Sequence, residues 1–467
     1  MEIIIILLAL GLLMFVAYRG FSVILFAPLC ALFAVLMTDP GLVLPFFSNI
    51  FMDKMVVFVK LYFPVFLLGA IFGKVIEMSG FAKSITAAMI NIVGAKRAML
   101  AIVLVCAVLT YGGVSLFVVA FAVYPFASEL FKAADIPKRL IPGTIALGAF
   151  TFTMDAFPGT PQIQNIIPTT FFKTDTWAAP WLGLIGGIFV FFAGMAYLEW
   201  KRRQAHSAGE GYGTGHTMEP EAFADSALPS PFLAVAPLIL VGVMNKVFIT
   251  MIPLYYGKTF DFAASGLKEV AKVPPVTVGS ISGVWAVEGA LLCGILLVLA
   301  CSFTRIKKNF NTGINMSIAG SLLATINTAS EYGFGAVIAS LPGFTSVKEG
   351  IGATITNPLV NEAVTVTTLA GITGSASGGM SIALAAMGQT YLEQAQKFGI
   401  DPQVLHRVAS MASGGMDTLP HNGAVITLLT VTGLTHKQSY KDIFAITCIK
   451  TLACFLIIGV YYLTGIV

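Results

Sequence analysis

Two aspartates stand in stretches that are otherwise almost free of charge: Asp155 in FTMDAFPGTPQIQ and Asp417 in SGGMDTLPHNGAVITLL. An ionised side chain in the middle of a membrane costs at least about 2.5–3.5 kcal/mol unless it finds a partner or water. Two chemistries would justify that cost. The carboxylate can carry a proton or hold a coupling cation, or it can cap helix N–H groups left open beside a break. Asp417 is followed by His421 and Asn422, and a histidine at that depth can titrate near neutral pH or donate to a carboxylate. Its alternative is a structural hydrogen bond. Thr160, Gln162, Gln164 and Asn165 follow Asp155 and offer hydrogen bonds to a hydroxy acid, with Thr160 and Gln162 the first candidates. Glu362 is a third candidate for cation coupling, with Asn357, Asn361 and Thr365 on or near one helical face by their spacing. A wet vestibule is the competing place for it.

Small residues form a second set. Gly112, Gly113 and Ser115 lie in GGVS, and Ser377, Gly378, Gly379 and Ser381 in SGGMS. Such residues let a substrate approach helix-terminal N–H groups, which favour an anion. They also allow tight helix packing, which is the simpler explanation. Lys60, within an apolar span, is expected to snorkel, and Arg407 is assigned to the surface or an entrance.

The elements that must position these groups are membrane spans. Of 467 residues, 57% are hydrophobic and 11% charged, against about 25% charged in soluble domains. Apolar blocks at 3–17, 21–37, 56–77, 181–200, 231–252, 284–303 and 443–465 approach or exceed the roughly 20 residues that cross a bilayer. A single-span anchor is excluded. The net charge of +4 is scattered over short loops, which gives no footprint for nucleic acid. The six cysteines lie in apolar segments without CxxC or Cys/His spacing, so neither a zinc site nor a disulfide framework is indicated, and core positions are expected. No metal and no cofactor is called for. The N-terminus lacks a basic n-region and a cleavage site, and reads as a retained span.

Two regions are less regular, and they share an order of events. GGVS at Gly112 matches GGMS at Gly378, Asp135-Ile136-Pro137 matches Ile400-Asp401-Pro402, and MDAFP at Met154 matches MDTLP at Met416. Three matches in order at near-constant offset indicate an internal duplication. The positive-inside rule fixes how the copies face. Lys74, Lys83, Lys96, Arg97, Lys132, Lys138 and Arg139 share one side only if 99–131 is a re-entrant hairpin with its tip at Gly112-Gly113. The helix over 140–172, broken at Asp155, then crosses outward, and 181–200 returns to deliver Lys201-Arg202-Arg203 inside. The second hairpin, 352–396, must open from outside, and a second broken helix, 403–434, must cross inward.

The expected organisation is therefore an extra N-terminal span at 1–20, a first inverted repeat at 21–200, a cytoplasmic linker at 201–229, a span and external loop at 230–283, and a second inverted repeat at 284–467. The fold class is an all-α polytopic membrane protein of two inverted repeats, each with a re-entrant hairpin and a discontinuous helix. This is the architecture of a secondary transporter with a midplane site. A membrane enzyme is disfavoured because HExxH, GxSxG and clustered His/Cys are absent from the sequence. An anion channel is disfavoured because a single-chain inverted repeat suits alternating access better than a filter ring.

The run from Leu68 to Ala98, LGAIFGKVIEMSGFAKSITAAMINIVGAKRA, together with FTMDAFPGTPQIQ and SGGMDTLPHNGAVITLL, resembles the gluconate permease (GntP) family. The likeness covers essentially the whole chain. It implies proton-coupled uptake of small hydroxycarboxylates, membership of the ion-transporter superfamily, a homodimer, and an elevator-like domain carrying both hairpins. A bacterial cytoplasmic membrane is the expected location, and the residues themselves suit H+ or Na+ alike as the coupling partner, with H+ favoured by the resemblance. FPGTP at Phe157 and TLPHNGAV at Thr418 depart from the gluconate carriers and look closer to the hydroxybutyrate permease branch. The expected substrate is 3-hydroxybutyrate or a similar short monocarboxylate, with gluconate or another sugar acid as the alternative.

Overall fold

The computed structural model describes residues 2–19, 21–94, 97–216, 219, 228–266, 272–420 and 422–467. His421 lies outside the described residues. Most of the described backbone is helical, because a helix satisfies its own N–H and C=O groups where lipid offers no partners. Among the described residues five stretches are long and apolar enough to cross a membrane: Pro40–Met78, Pro180–Ser207, Pro231–Tyr256, Ser282–Ala339 and His436–Thr464.

Several boundaries differ from those read in the sequence. The span expected at 284–303 runs as Ser282–Ile306, turns through Lys307–Asn309, and continues as Phe310–Ala339. Sequence hydropathy understates that last helix because Asn, Thr, Ser and Gly dilute it. The helix over Pro180–Ser207 carries Lys201-Arg202-Arg203 within it, so the linker begins several residues later than 201. A separate helix, Pro342–Thr354, precedes the second hairpin, whose arms are Pro358–Thr373 and Ala376–Phe398. Between 252 and 284 the described residues contain a two-stranded antiparallel pair, Thr259–Phe260 with Val276–Thr277. Cys30, Cys106 and Cys454 are buried as expected of core residues, but Cys301 and Cys448 are exposed. An apolar exterior tolerates them as well as a core does.

The helices form two neighbourhoods. In one, Phe310–Ala339 lies along Met52–Met78 and Val23–Thr38, while Pro231–Tyr256 packs on Ser282–Ile306. In the other, the first hairpin (Ala98–Tyr111 and Leu116–Ala133) packs on Ile141–Ala149, which in turn lies beside Pro180–Ser207 and His436–Thr464. Close approach there requires missing side chains. A Cβ at Gly183 would overlap the Ala156 carbonyl, and one at Gly187 the Phe157 ring. Ala376–Phe398 packs against both Phe310–Ala339 and Pro402–Gly414, bridging the neighbourhoods.

The ends of Pro180–Ser207 give the fold its polarity. At the N-terminal end, Gln403 Oε1 accepts from the Ala179 N–H (3.2 Å). Beyond the C-terminal end, Arg139 pairs with Glu210 (2.7 Å) and with Asp442 (3.1 Å). A helix of 28 residues is about 42 Å long at 1.5 Å per residue, more than the roughly 30 Å of a hydrocarbon core.

The linker is fastened to the same end as Arg139. The Tyr212 N–H donates to Asp135 (2.9 Å), and Glu219 receives Lys138 (2.8 Å), Lys132 and the Tyr212 hydroxyl (3.0 Å). Burial works to raise the Glu219 carboxyl, but hydrogen bonds from Lys132, Lys138 and Tyr212 outweigh it and hold the group at about 2, below its ordinary 4.5. The stabilisation is therefore complete above pH 4.5 and lost as the pH falls from there toward 2. Glu219→Gln should raise deuterium uptake over 208–216 at neutral pH. Wild type should show the same loosening near pH 3, after correction for intrinsic exchange. Unchanged uptake in the variant would mean that Glu219 does not fasten the linker.

Candidate functional site

The first break begins where Ile141–Ala149 ends. Thr151 takes φ −130° and ψ −125°, one helical turn follows at Phe152–Asp155, and regular helix resumes only at Ile163–Phe172. The freed carbonyls are served from within the protein, as lipid requires. Thr160 Oγ1 donates to the Thr153 carbonyl (2.7 Å), and Asn165 Nδ2 donates to those of Thr160 (3.0 Å) and Thr176 (2.9 Å). Gln162 Nε2 reaches the first hairpin tip, donating to the carbonyls of Thr110 (2.7 Å) and Val114 (3.3 Å). Tyr111 donates to the Pro158 carbonyl (2.8 Å). Thr160 and Gln162 thus already hold backbone, and Gln162 ties the first tip to the first break.

Asp155 is 1% exposed and its Oδ2 is ion-paired with Lys450, itself 1% exposed. Lys450 also donates to the Phe150 carbonyl (2.8 Å), at the start of the break. Arg407 is not at the surface or an entrance: it is fully buried. Its guanidinium donates to the carbonyls of Asp155 (2.8 Å) and Ala178 (2.7 Å) and to Asn165 Oδ1 (3.0 Å). A planar fork of donors suits a set of carbonyls exposed by a broken helix. His406, next to it, meets Asn165 Oδ1 through Nε2 (3.2 Å) and Thr174 through Nδ1 (2.7 Å). Because the Asn165 amide nitrogen is committed to two carbonyls, Oδ1 must accept, and the network assigns the proton to Nε2.

The second break follows Pro402–Gly414 and a short 3-10 turn, Gly415–Thr418, with helix resuming at Gly423–Thr432. Here Asp417 is the junction. Oδ2 accepts from Gln164 of the first break (2.8 Å), and Oδ1 from the Ala376 N–H (3.0 Å) and from Asn422 Nδ2 (3.2 Å). Asn422 also donates to the Gly374 carbonyl (2.7 Å) and accepts from the Ala424 N–H (2.6 Å). Asp417 therefore caps the N-terminus of the second hairpin arm rather than that of its own helix. Gln162 and Gln164, two residues apart on the first break, thus reach the first tip and Asp417 respectively, and Asp417 and Asn422 carry the connection to the second tip.

The tips differ in detail from the sequence pattern. Gly113 has φ +96°, which the reversal between Tyr111 and Leu116 demands. Gly112 is buried against Leu238, and Ser115 makes no side-chain cap bond. The second reversal is at Gly374 (φ +68°) and Ser375, so Ser377, Gly378, Gly379 and Ser381 fall within the first turns of the following helix. Ser375 Oγ accepts from the Gly378 N–H (3.1 Å), and Ser381 donates to the Ser377 carbonyl (2.6 Å). A Cβ at Gly379 would overlap Ala370 backbone, and one at Gly378 the Glu331 carboxylate.

Glu362 is not in a wet vestibule: it is fully buried, and neither carboxylate oxygen has a hydrogen-bond partner. Asn361 beside it accepts from Thr365 and Tyr391 (3.4 Å each), while Asn357 meets Tyr462 (3.1 Å). Lys60 is exposed. Among the described residues there is no group of three His, Cys, Asp or Glu placed to hold a metal ion. A groove of 730 Å³ runs beside the first tip, lined by Tyr111, Gly112, Phe157, Trp177, Leu238 and Lys246 among others. The Lys246 ammonium stands 5.0 Å from the centre of the Trp177 ring.

Apolar helices that cross a bilayer several times, interrupted where buried side chains serve the freed backbone, define a multi-pass membrane transporter. The chain is 63% identical over 475 residues to the uncharacterised transporter YxjC of Bacillus subtilis, with 100% of both chains covered, and it belongs to that transporter family. That membership implies solute movement rather than an enzymatic conversion. No family model matches the chain. Its fold is similar to the YdaH transporter of Alcanivorax borkumensis, whose crystal structure has an unusual topology, at 15% identity, 92% of this chain, 90% of that one and a TM-score of 0.50.

Sequence reasoning missed Lys450 and Glu331, and placed Arg407 wrongly. Lys450 is a single cation among apolar and small neighbours, the same signal that singled out Asp155, and Arg407 follows His406 in a segment otherwise chiefly of Val, Leu, Ala and Ser. If Asp417 is the junction, Asp417→Ala should lower stability by about 2–5 kcal/mol, since several buried donors lose their acceptor. Asp417→Asn should cost much less, because Gln164 can turn its amide and accept. Thermal unfolding in detergent measures both. An alanine variant as stable as wild type would remove Asp417 from this role.

Proposed function

We propose that the chain is a cation-coupled symporter of a small hydroxycarboxylate, 3-hydroxybutyrate in the first instance, working by alternating access in a bacterial cytoplasmic membrane. The observation that carries the reading is the set of hydrogen bonds made by Gln162, Gln164, Asp417 and Asn422, which gathers both breaks and both hairpin tips at one place. Discontinuous helices that converge in this way suit a midplane site. The inverted orientation of the halves draws support from the two ends of Pro180–Ser207, since Gln403 meets one end and Arg139 the other. An elevator movement of the hairpins and a homodimer belong to the same proposal, as does the gluconate permease relationship.

The N-terminus of Ala376–Phe398 already receives the Asp417 carboxylate. A substrate carboxylate is therefore assigned to the first tip, where Ser115 makes no cap bond and the groove carries Lys246. The groove wall is otherwise chiefly apolar, which suits a short alkyl acid. A polyhydroxylated sugar acid would bury hydroxyls against carbon there, at a cost of about 1–3 kcal/mol for each one left unpaired. Of the three coupling candidates, Asp155 is neutralised by Lys450 and Asp417 is engaged by three donors, whereas Glu362 is unpartnered.

Proteoliposomes should accumulate labelled 3-hydroxybutyrate saturably under an inward proton gradient, in preference to gluconate, with accumulation collapsing on addition of a protonophore. Lys246→Ala should raise the half-saturating concentration by about tenfold. No saturable uptake of either acid would refute the substrate class, and uptake driven by sodium alone would refute proton coupling.

A further inference from the structure

Glu331 lies on Phe310–Ala339, 4% exposed, with Oε2 buried and no hydrogen-bond partner. It faces Gly378 so closely that no other residue type would fit there without displacing the carboxylate. Gly335, one turn further along, is likewise closed by Ile382. The two helices thus run side by side, with the carboxylate wedged against the first turn of the second hairpin arm.

Among the described residues no cation is paired with it. On Ala376–Phe398, Tyr391, Glu393 and Lys397 lie about four to five turns beyond Gly378. Met52–Met78 brings Phe58 to Tyr332, next to Glu331, and Tyr62 donates to the Ile167 carbonyl (3.1 Å). The charged residues of that helix are Asp53, Lys54, Lys60, Lys74 and Glu77; Lys60 is exposed, and Lys74 pairs with Glu77. Val23–Thr38 contributes Cys30 as its titratable group. The charge that acts on Glu331 is Asp417, itself negative. An ionised, unpaired carboxylate here is costly, while a single proton removes the charge without needing the several oxygen ligands a metal cation would take.

We propose that Glu331 is a proton-binding site whose occupancy governs the sliding of the second hairpin along Phe310–Ala339. Ionised, the carboxylate is drawn to the positive end of Ala376–Phe398 and holds the hairpin in register. Protonated, it loses that attraction and the helices are free to move past each other. Asp417 caps the same helix end and leaves no room for a second lasting charge. The inference rests on the proposed proton-coupled transport for its consequence, but not for the proton site itself.

Two measurements separate these. Infrared difference spectra of the purified protein across a pH sweep should contain a carboxylic-acid carbonyl band that is missing in Glu331→Gln and kept in Glu362→Gln. Gly378→Ala, which crowds the carboxylate in an otherwise intact chain, should shift the pH at which that band changes. Identical spectra in wild type and Glu331→Gln, or no shift with Gly378→Ala, would overturn the proton site. In proteoliposomes, Glu331→Gln should keep counterflow of 3-hydroxybutyrate but lose gradient-driven accumulation by about tenfold or more. Wild-type accumulation in that variant would overturn the coupling role. Absence of 3-hydroxybutyrate uptake by wild type would refute the transport reading alone, since the infrared result stands without it.

Discussion

Unwound backbone in a membrane interior has no water to fall back on, and everything distinctive in this chain follows from that. Each break releases carbonyls and N–H groups that must be met by side chains, at roughly 1–3 kcal/mol for every group left unmet. The residues that meet them are polar or charged side chains deep in an apolar chain: Gln162, Asn165, Arg407, Asp417, Asn422 and Lys450. Their positions are dictated by the breaks. The Arg407 fork, for example, is spent on the carbonyls of Asp155 and Ala178, which regular helix would have satisfied by itself.

The partners are exchanged crosswise. Asp155, in the first half of the chain, is neutralised by Lys450 of the second half, and its own carbonyl is held by Arg407, also of the second. Asp417, in the second half, receives Gln164 of the first. Each break is closed in part by the other half, which couples the assembly of the two. The two aspartates stand in matching MDxxP runs yet differ: one balances a cation, the other caps a neighbouring helix. This asymmetry leaves the first tip with the open helix end and the second tip with a carboxylate already in place. It is the physical ground for assigning an anionic substrate to the first tip.

The breaks themselves were legible, because Gly and Pro beside Asp in apolar sequence leave few other readings. The paired Gly-Gly tips were also legible, although the second reversal sits at Gly374, where a single glycine of positive φ does the turning and the more conspicuous SGGMS run is helix. Gly378 and Gly379 are small for the sake of neighbours, Glu331 and Ala370, that lie far away or across a turn in sequence. Hydropathy missed the full extent of Phe310–Ala339, whose Ser and Thr side chains mostly bond back to carbonyls three or four residues earlier. It also hid Glu331. What could not be read was pairing: nothing in the spacing of Asp155 and Lys450 joins residues three hundred positions apart.

The account depends on the two hairpins opening toward opposite faces of the membrane, so that their tips meet in the middle. In a chain with its six cysteines replaced by serine, single cysteines at the exposed positions Ala133, Arg203 and Asp401 can be challenged with a membrane-impermeant thiol reagent in right-side-out and inside-out vesicles. Positions 133 and 203 should react from one face and 401 from the other. Reaction of all three from the same face would contradict the arrangement, and with it the crosswise closure of the two breaks around a transported anion.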